Sequence, residues 1–150
     1  MEKLEWGVKA SFRAYVEGAG GSITLTDGAV RLEDGTFAFS AIPGGNLTIS
    51  ADGSAEGAQY FEGTVVFEAH GGMLKSTLTE LAIEAGQTGL MLTVLEGPMN
   101  TGRCAIAELG PVEVGDDGMM VAQTQITMDG MYQIADHYPP GTELDPITLS

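Results

Sequence analysis

The fold class is indicated first by Ser22-Ile-Thr-Leu-Thr-Asp27-Gly28-Ala-Val-Arg-Leu-Glu-Asp34-Gly35-Thr-Phe-Ala-Phe-Ser-Ala41. Two Asp-Gly pairs divide this segment into three β-prone runs, at residues 22–26, 29–33 and 36–41. An Asp-Gly pair between such runs is the strongest short-range signal of a hairpin, because the tight turn needs residues that tolerate positive φ. The segment therefore predicts short antiparallel strands.

The same pattern continues along the chain. Further β-prone runs cover 47–51, 59–70, 73–84 (read as a pair of strands), 90–95, 103–109, 112–114, 119–127 and 144–149. The 22 glycines are scattered between these runs, as is typical of a protein with many turns. Two helix candidates lie near the ends of the sequence: one ends at 18–22, and the other covers 128–138 before a Pro-Pro pair. We predict one mainly β domain over residues 1–150, an antiparallel β-sandwich or flattened barrel of about ten strands with two short helices.

The composition excludes several partners. The net charge of −15, from 21 acidic and 6 basic residues, repels phosphate backbones and anionic lipids, so we expect no nucleic-acid or membrane-surface binding. A site for an anionic ligand must bring the few cations together locally or leave the charges of the ligand in water.

No apolar run approaches the roughly 20 residues that span a bilayer, so we expect no membrane insertion. With no export signal in the sequence, we expect a cytoplasmic protein if Met1 is native, and a cell-surface or secreted one if the chain is an excised domain. Cys104, the only cysteine, is expected to be a small core residue.

Tyr15 lies in the middle of the apolar side of the first helix candidate. At 100° per residue, one arc of about 100° holds Leu4, Val8, Ser11, Phe12 and Tyr15. A phenol at this position is either part of the core or covered by a bound ligand. Phenolate is a hard anionic donor that favours Fe(III), and it needs a hydrogen-bond donor because a tyrosine in water keeps its proton up to about pH 10.

His70 is the candidate for that donor. Within the run 59–70 it has the opposite parity to the apolar residues Val65 and Phe67, so it either points off the core face or lies where Gly71-Gly72 bends the strand. Ser11 is one turn before Tyr15 and can reach the same ligand. The alternatives are a core tyrosine, a solvated histidine, and a serine bonded to the carbonyl four residues earlier.

Other chemistry finds little support in the sequence. His137, in Asp-His-Tyr-Pro-Pro, is better explained by a helix end than by ligation. No Gly-x-Ser-x-Gly, phosphate-binding loop, His-Glu-x-x-His or clustered His/Cys set occurs. We therefore expect a binding protein and not an enzyme.

Four blocks of the sequence resemble the HtaA domain of haem-uptake proteins from actinobacterial cell envelopes. They are Trp6-Gly-Val-Lys-Ala-Ser-Phe-Arg-Ala-Tyr15, Gly-Gly-Ser-Ile-Thr with Asp27-Gly28, Val66-Phe-Glu-Ala-His70-Gly-Gly-Met-Leu74, and Tyr138-Pro-Pro-Gly-Thr-Glu-Leu-Asp-Pro-Ile-Thr148. The resemblance implies a β-rich fold with two short helices that binds ferric haem b beside the first helix.

In that family pattern the Tyr15 position is the axial iron ligand, the His70 position hydrogen-bonds the tyrosine, and the Ser11 position assists binding. We expect Phe12 and Val8 to pack near the macrocycle. The function would be haem uptake, transfer or storage, with a haem donor or acceptor protein as partner, and a homodimer in which two open haem faces stack is left open. The rival hypotheses are a cofactor-free β-sandwich interaction module and a haem enzyme or sensor.

Overall fold

Eight antiparallel strands close into a barrel. The structure, a computed structural model, describes residues 2–50, 54–87, 89–95, 102–135 and 138–150. These residues form fifteen strands, two α-helices and a 3-10 turn (His70–Gly72): β1 Lys3–Trp6, α1 Ala10–Gly18, β2 Ser22–Thr26, β3 Val30–Arg31, β4 Phe37–Ala41, β5 Thr48–Ile49, β6 Ala55–Glu56, β7 Ala58–Glu62, β8 Thr64–Ala69, β9 Leu74–Thr79, β10 Ala82–Gly86, β11 Gly89–Leu95, β12 Arg103–Leu109, β13 Glu113–Val114, β14 Met120–Ile126, α2 Met128–Gln133 and β15 Glu143–Leu149.

The barrel follows the order β1-β15-β14-β12-β11-β10-β7-β4, and β4 pairs back onto β1. The short strands β3 and β13 extend it beside β4 and β14. The prediction of a mainly β fold with two helices is confirmed, in its barrel form. Within β1 the side chains alternate, so that Leu4 and Trp6 point into the barrel and are fully buried while Lys3 and Glu5 are only partly buried.

A second sheet, in the order β2-β8-β9, carries the first helix. Helix α1 packs against β2 and β8, while α2 packs against β12, β14 and β9. Phe12 of α1 contacts Phe67 of β8 with ring centroids 4.9 Å apart, and Phe67 in turn meets Phe37 of the barrel at 5.9 Å. This aromatic chain joins helix, small sheet and barrel in one core. None of the described helices combines the length and the apolar character that crossing a bilayer requires.

The placement of Leu4 and Val8 on the arc of the first helix is wrong. Leu4 belongs to strand β1, and α1 begins only at Ala10. The residues Leu4, Trp6 and Val8 alternate with polar or small neighbours, so they satisfy the period of a strand as well as part of a helical arc. Val8 lies between the strand and the helix with φ of 65°, a conformation that a β-branched residue rarely adopts.

The prediction of a single strand over 59–70 is also wrong. Gly63, with φ of 130°, separates β7 in the barrel from β8 in the small sheet. A Cβ at this position would lie 2.8 Å from atoms of Ala29 and Phe39, so the chain changes sheets where only glycine fits. The run 73–84 does form two strands, β9 and β10, but they too belong to different sheets.

The two Asp-Gly pairs of the opening segment have different outcomes. Asp34-Gly35 closes a hairpin, because β3 and β4 pair on either side of it. Asp27-Gly28 does not, because β2 pairs with β8 and the turn leads from the small sheet towards the barrel. Helix α2 covers only the first part of the predicted 128–138, and His137 lies outside the described residues.

Candidate functional site

Tyr15 and His70 meet on the surface beside α1. The phenolic Oη lies 2.6 Å from Nε2 of the imidazole, and the two ring centroids are 5.6 Å apart. Tyr15 is 44% exposed, so the alternative of a core tyrosine does not hold. The structure therefore brings together, from positions 55 residues apart, the two side chains that sequence chemistry paired, on a surface open to a ligand.

Helix geometry explains why Tyr15 is accessible. Phe12 and Val16 are fully buried against the small sheet and define the inward face of α1. Tyr15 follows 300° after Phe12 and precedes Val16 by 100°, so it leaves the helix at the edge of that face. Both Phe12 and Val8 are buried in the core, and the expectation that they pack near a bound macrocycle stays a prediction.

The backbone at His70 holds an unusual conformation. His70, Gly71 and Gly72 have φ values of 55°, 67° and 94°, three consecutive left-handed residues at the end of β8. A non-glycine residue pays of order 1–3 kcal/mol for a sparsely populated conformation, and such strain concentrates at functional sites. A Cβ at Gly71 or Gly72 would meet no atom within 4 Å, so the turn leaves open space beside the imidazole. Of the two placements expected for His70, the bend at Gly71-Gly72 is the one observed.

Ser11 contacts a residue that sequence reasoning did not place at the site. Its Oγ lies 2.9 Å from Oη of Tyr138, and no bond back to the preceding turn replaces this contact among the described hydrogen bonds. The ring of Tyr138 packs edge-on against Phe12, with centroids 6.2 Å apart. The available signal is the block Tyr138-Pro-Pro-Gly, whose tyrosine is the last residue of the helix predicted over 128–138. Ser11 and Tyr15 are still one turn apart on α1, so Tyr138 borders the same surface.

Asp145 fixes the beginning of α1 to the last barrel strand. Its Oδ1 accepts a hydrogen bond from the Ala10 amide at 3.1 Å, and its Oδ2 pairs with Nη1 of Arg13 at 2.6 Å. Its backbone carbonyl accepts from Nε1 of Trp6 at 2.8 Å, and its amide donates to the carbonyl of Val8 at 2.8 Å. The helix that carries Tyr15 is thus held by both the side chain and the backbone of one β15 residue.

One cleft adjoins this pair on the His70 side. A cleft of about 290 Å³, bordered by 19–22 and 68–72, opens next to His70. A second cleft of about 460 Å³, near Gln59, offers neither phenol nor imidazole. In the described part of the chain, no three His, Cys, Asp or Glu side chains cluster as a metal site would require. A phenol beside an imidazole fits an iron porphyrin, whose ring nitrogens already supply four ligands.

Comparison with known proteins identifies the family and the fold. The HtaA family model, described as Htaa, matches residues 1–150. The C-terminal domain of HtaA from Corynebacterium glutamicum is similar at 29% identity and a TM-score of 0.75, over 98% of this chain and 93% of that one. The N-terminal domain of the same protein has 24% identity and a TM-score of 0.78, over 98% and 94%. The heme binding protein HtaB from C. glutamicum shares the fold at 20% identity and a TM-score of 0.71, over 98% and 90%. No curated protein sequence matches the chain.

Proposed function

The chain belongs to the HtaA family, and from this premise we propose that it binds ferric haem through the phenolate oxygen of Tyr15. The observation that carries the proposal is the 2.6 Å contact between Tyr15 Oη and His70 Nε2 on an exposed surface. A buried structural pair would serve stability alone, whereas this one faces space that a ligand can occupy.

Each residue has a distinct part in the proposal. Tyr15 supplies a hard anionic oxygen, which suits Fe(III) and holds the iron at low potential. His70, with its proton on Nε2, donates to that oxygen and stabilises the anion, as outer-shell partners of metal ligands commonly do. Ser11 and Tyr138 form a hydroxyl pair one turn away along α1 and provide polar contacts. Bound haem supplies a Lewis-acidic ferric iron that makes ionisation of the phenol favourable.

An exposed site with one strong ligand fits reversible binding. The protein would cover the bound haem on one side only. We therefore expect it to load haem from a donor and release it to an acceptor protein, in haem uptake, transfer or storage. The stacked homodimer considered above would cover the other side. Gel filtration with and without hemin measures whether this dimer forms.

A hemin titration tests the proposal. We expect the wild-type chain to give a shifted Soret band and a phenolate-to-iron charge-transfer band. Tyr15→Phe removes the oxygen, so the charge-transfer band should vanish, and His70→Ala should weaken affinity about 10- to 100-fold. Tyr60→Phe is the matched control, because Tyr60 is exposed to a similar extent (41%) but stacks on Arg103 in the barrel.

Three outcomes would contradict parts of this proposal. Identical spectra for wild type and Tyr15→Phe would remove Tyr15 as the ligand. A wild-type chain that leaves the hemin spectrum unchanged would favour the cofactor-free interaction module. Sustained peroxide turnover by the hemin complex, abolished in Tyr15→Phe, would favour the haem enzyme over the carrier.

A further inference from the structure

The cations of this acidic chain are almost all neutralised by neighbouring carboxylates. The six Lys and Arg residues all lie in the described ranges, and five of them form ion pairs: Lys3–Glu5, Arg13–Asp145, Arg31–Glu17, Lys75–Glu68 and Arg103–Glu84. Lys9 differs from the others within the same ranges. Its Nζ donates to the backbone carbonyl of Glu143 at 2.7 Å, and it lies 5.8 Å from the ring centroid of Tyr138.

Lys9 keeps its positive charge available beside the proposed site. The Tyr138 ring beneath its ammonium is bonded through Oη to Ser11, which is one turn before Tyr15. Six residues separate Lys9 from Tyr15, which corresponds to roughly 9 Å along a helix axis. The cation that lacks a carboxylate partner among the described residues therefore lies at the Ser11 end of the surface that carries the phenol.

We propose that the ammonium of Lys9 binds a carboxylate of the ligand, namely one of the two haem propionates. This inference rests on the proposed haem site and names the part of the ligand that Lys9 recognises. An ammonium has three N–H donors, and one of them is engaged by Glu143, so two remain for a carboxylate. A chain of net charge −15 repels the two anionic propionates of haem, and a cation that has no carboxylate partner among the described residues offsets that repulsion where the ligand docks.

The competing cations are less suited to this role. Arg13 is held by Asp145 at 2.6 Å, and Arg31 forms a two-pronged pair with Glu17 at 2.8 and 3.2 Å. Lys75 lies near the His70 turn but is 3.4 Å from Glu68. Each would have to exchange a carboxylate partner for the ligand, whereas Lys9 would only add one.

The test compares hemin with its dimethyl ester, in which both propionates are neutral. Wild type, Lys9→Met, Lys9→Arg and the charge-matched control Lys3→Met are titrated with both porphyrins at low salt. Methionine keeps an apolar stem over the Tyr138 ring, so packing is preserved while the charge is removed. We expect Lys9→Met to bind hemin about 2- to 5-fold more weakly and the ester unchanged, with Lys9→Arg close to wild type and Lys3→Met unaffected. The hemin difference should shrink as salt is added.

The results separate this inference from the site itself. If Lys9→Met binds hemin as wild type does, or loses equal affinity for hemin and ester, Lys9 does not bind a propionate. Thermal melts of the same variants check that each is folded. If either of these two results is found while the charge-transfer band still depends on Tyr15, the haem site stands and only the role of Lys9 is rejected. If wild type shows no such band with either porphyrin, the haem site fails and this inference fails with it.

Discussion

Asp145→Asn should lower the stability of the fold more than expected for a side chain that is 22% exposed. Each oxygen of Asp145 has its own donor, the Ala10 amide at 3.1 Å for Oδ1 and Arg13 Nη1 at 2.6 Å for Oδ2. Asparagine keeps one acceptor oxygen and replaces the other with an N–H donor. One of the two donors must then face another donor, and the guanidinium of Arg13, whose side chain is only 12% exposed, loses its counter-charge.

The magnitude follows from the contacts removed. A hydrogen bond to a charged group contributes about 1.5–3 kcal/mol to the free energy of unfolding. A carboxylate at a helix N-terminus adds about 0.3–1 kcal/mol through the helix dipole. The expected loss is therefore roughly 2–4 kcal/mol, which at this chain length lowers Tm by roughly 5–15 °C.

Denaturant unfolding followed by circular dichroism measures the loss, with Glu17→Gln as the control. Glu17 also pairs with an arginine, at 2.8 and 3.2 Å, but its side chain is 49% exposed, so that variant should lose much less stability than Asp145→Asn. If Asp145→Asn costs no more than Glu17→Gln, the reasoning that Asp145 anchors α1 is refuted.

Two further predictions concern a titration and a packing contact. The hydrogen bonds and charge of Arg31 hold the pKa of the Glu17 carboxyl below its ordinary value, so the pair's contribution to stability is complete above the ordinary titration range and is lost as the pH falls through the lowered pKa. An NMR pH titration should show this midpoint, and Arg31→Met should raise it; an unchanged midpoint would mean that Arg31 is not the cause. Gly130→Ala should lower the free energy of unfolding, measured with denaturant, by about 1–3 kcal/mol, because a Cβ there would overlap the carbonyl of Ile106. Gly18→Ala, in open space on α1, should cost nothing, and equal losses for both glycines would contradict the packing argument.

The candidate pair could be named from sequence because its chemistry is local. A tyrosine on an amphipathic helix and a histidine before Gly-Gly are both visible as residue types in a pattern. Whether Tyr15 was core or surface could not be decided, because this depends on how far α1 is rotated over the small sheet. The burial of Phe12 and Val16 sets that rotation and leaves Tyr15 at the edge.

Tyr138 shows the opposite case. Nothing near it in the sequence indicates Ser11, which is 127 residues away, and the two meet only because β15 returns beside β1 to close the barrel. The same closure brings Asp145 to the start of α1. Contacts of this kind depend on which strands pair, and local patterns do not specify strand partners.

Alternating apolar residues, Asp-Gly turns and scattered glycines were enough to determine that this chain forms short antiparallel strands with a helix near each end. These patterns concern residues that are close in sequence, so many different arrangements of the same strands and helices would be compatible with them. Which strands share a sheet was decided by tertiary packing, as at Gly63, where one apparent strand divides between two sheets and Ala29 and Phe39 leave no room for a side chain. That change of sheet places His70 next to Tyr15, because burying Phe67 against Phe12 docks α1 on the strand that ends one residue before the histidine.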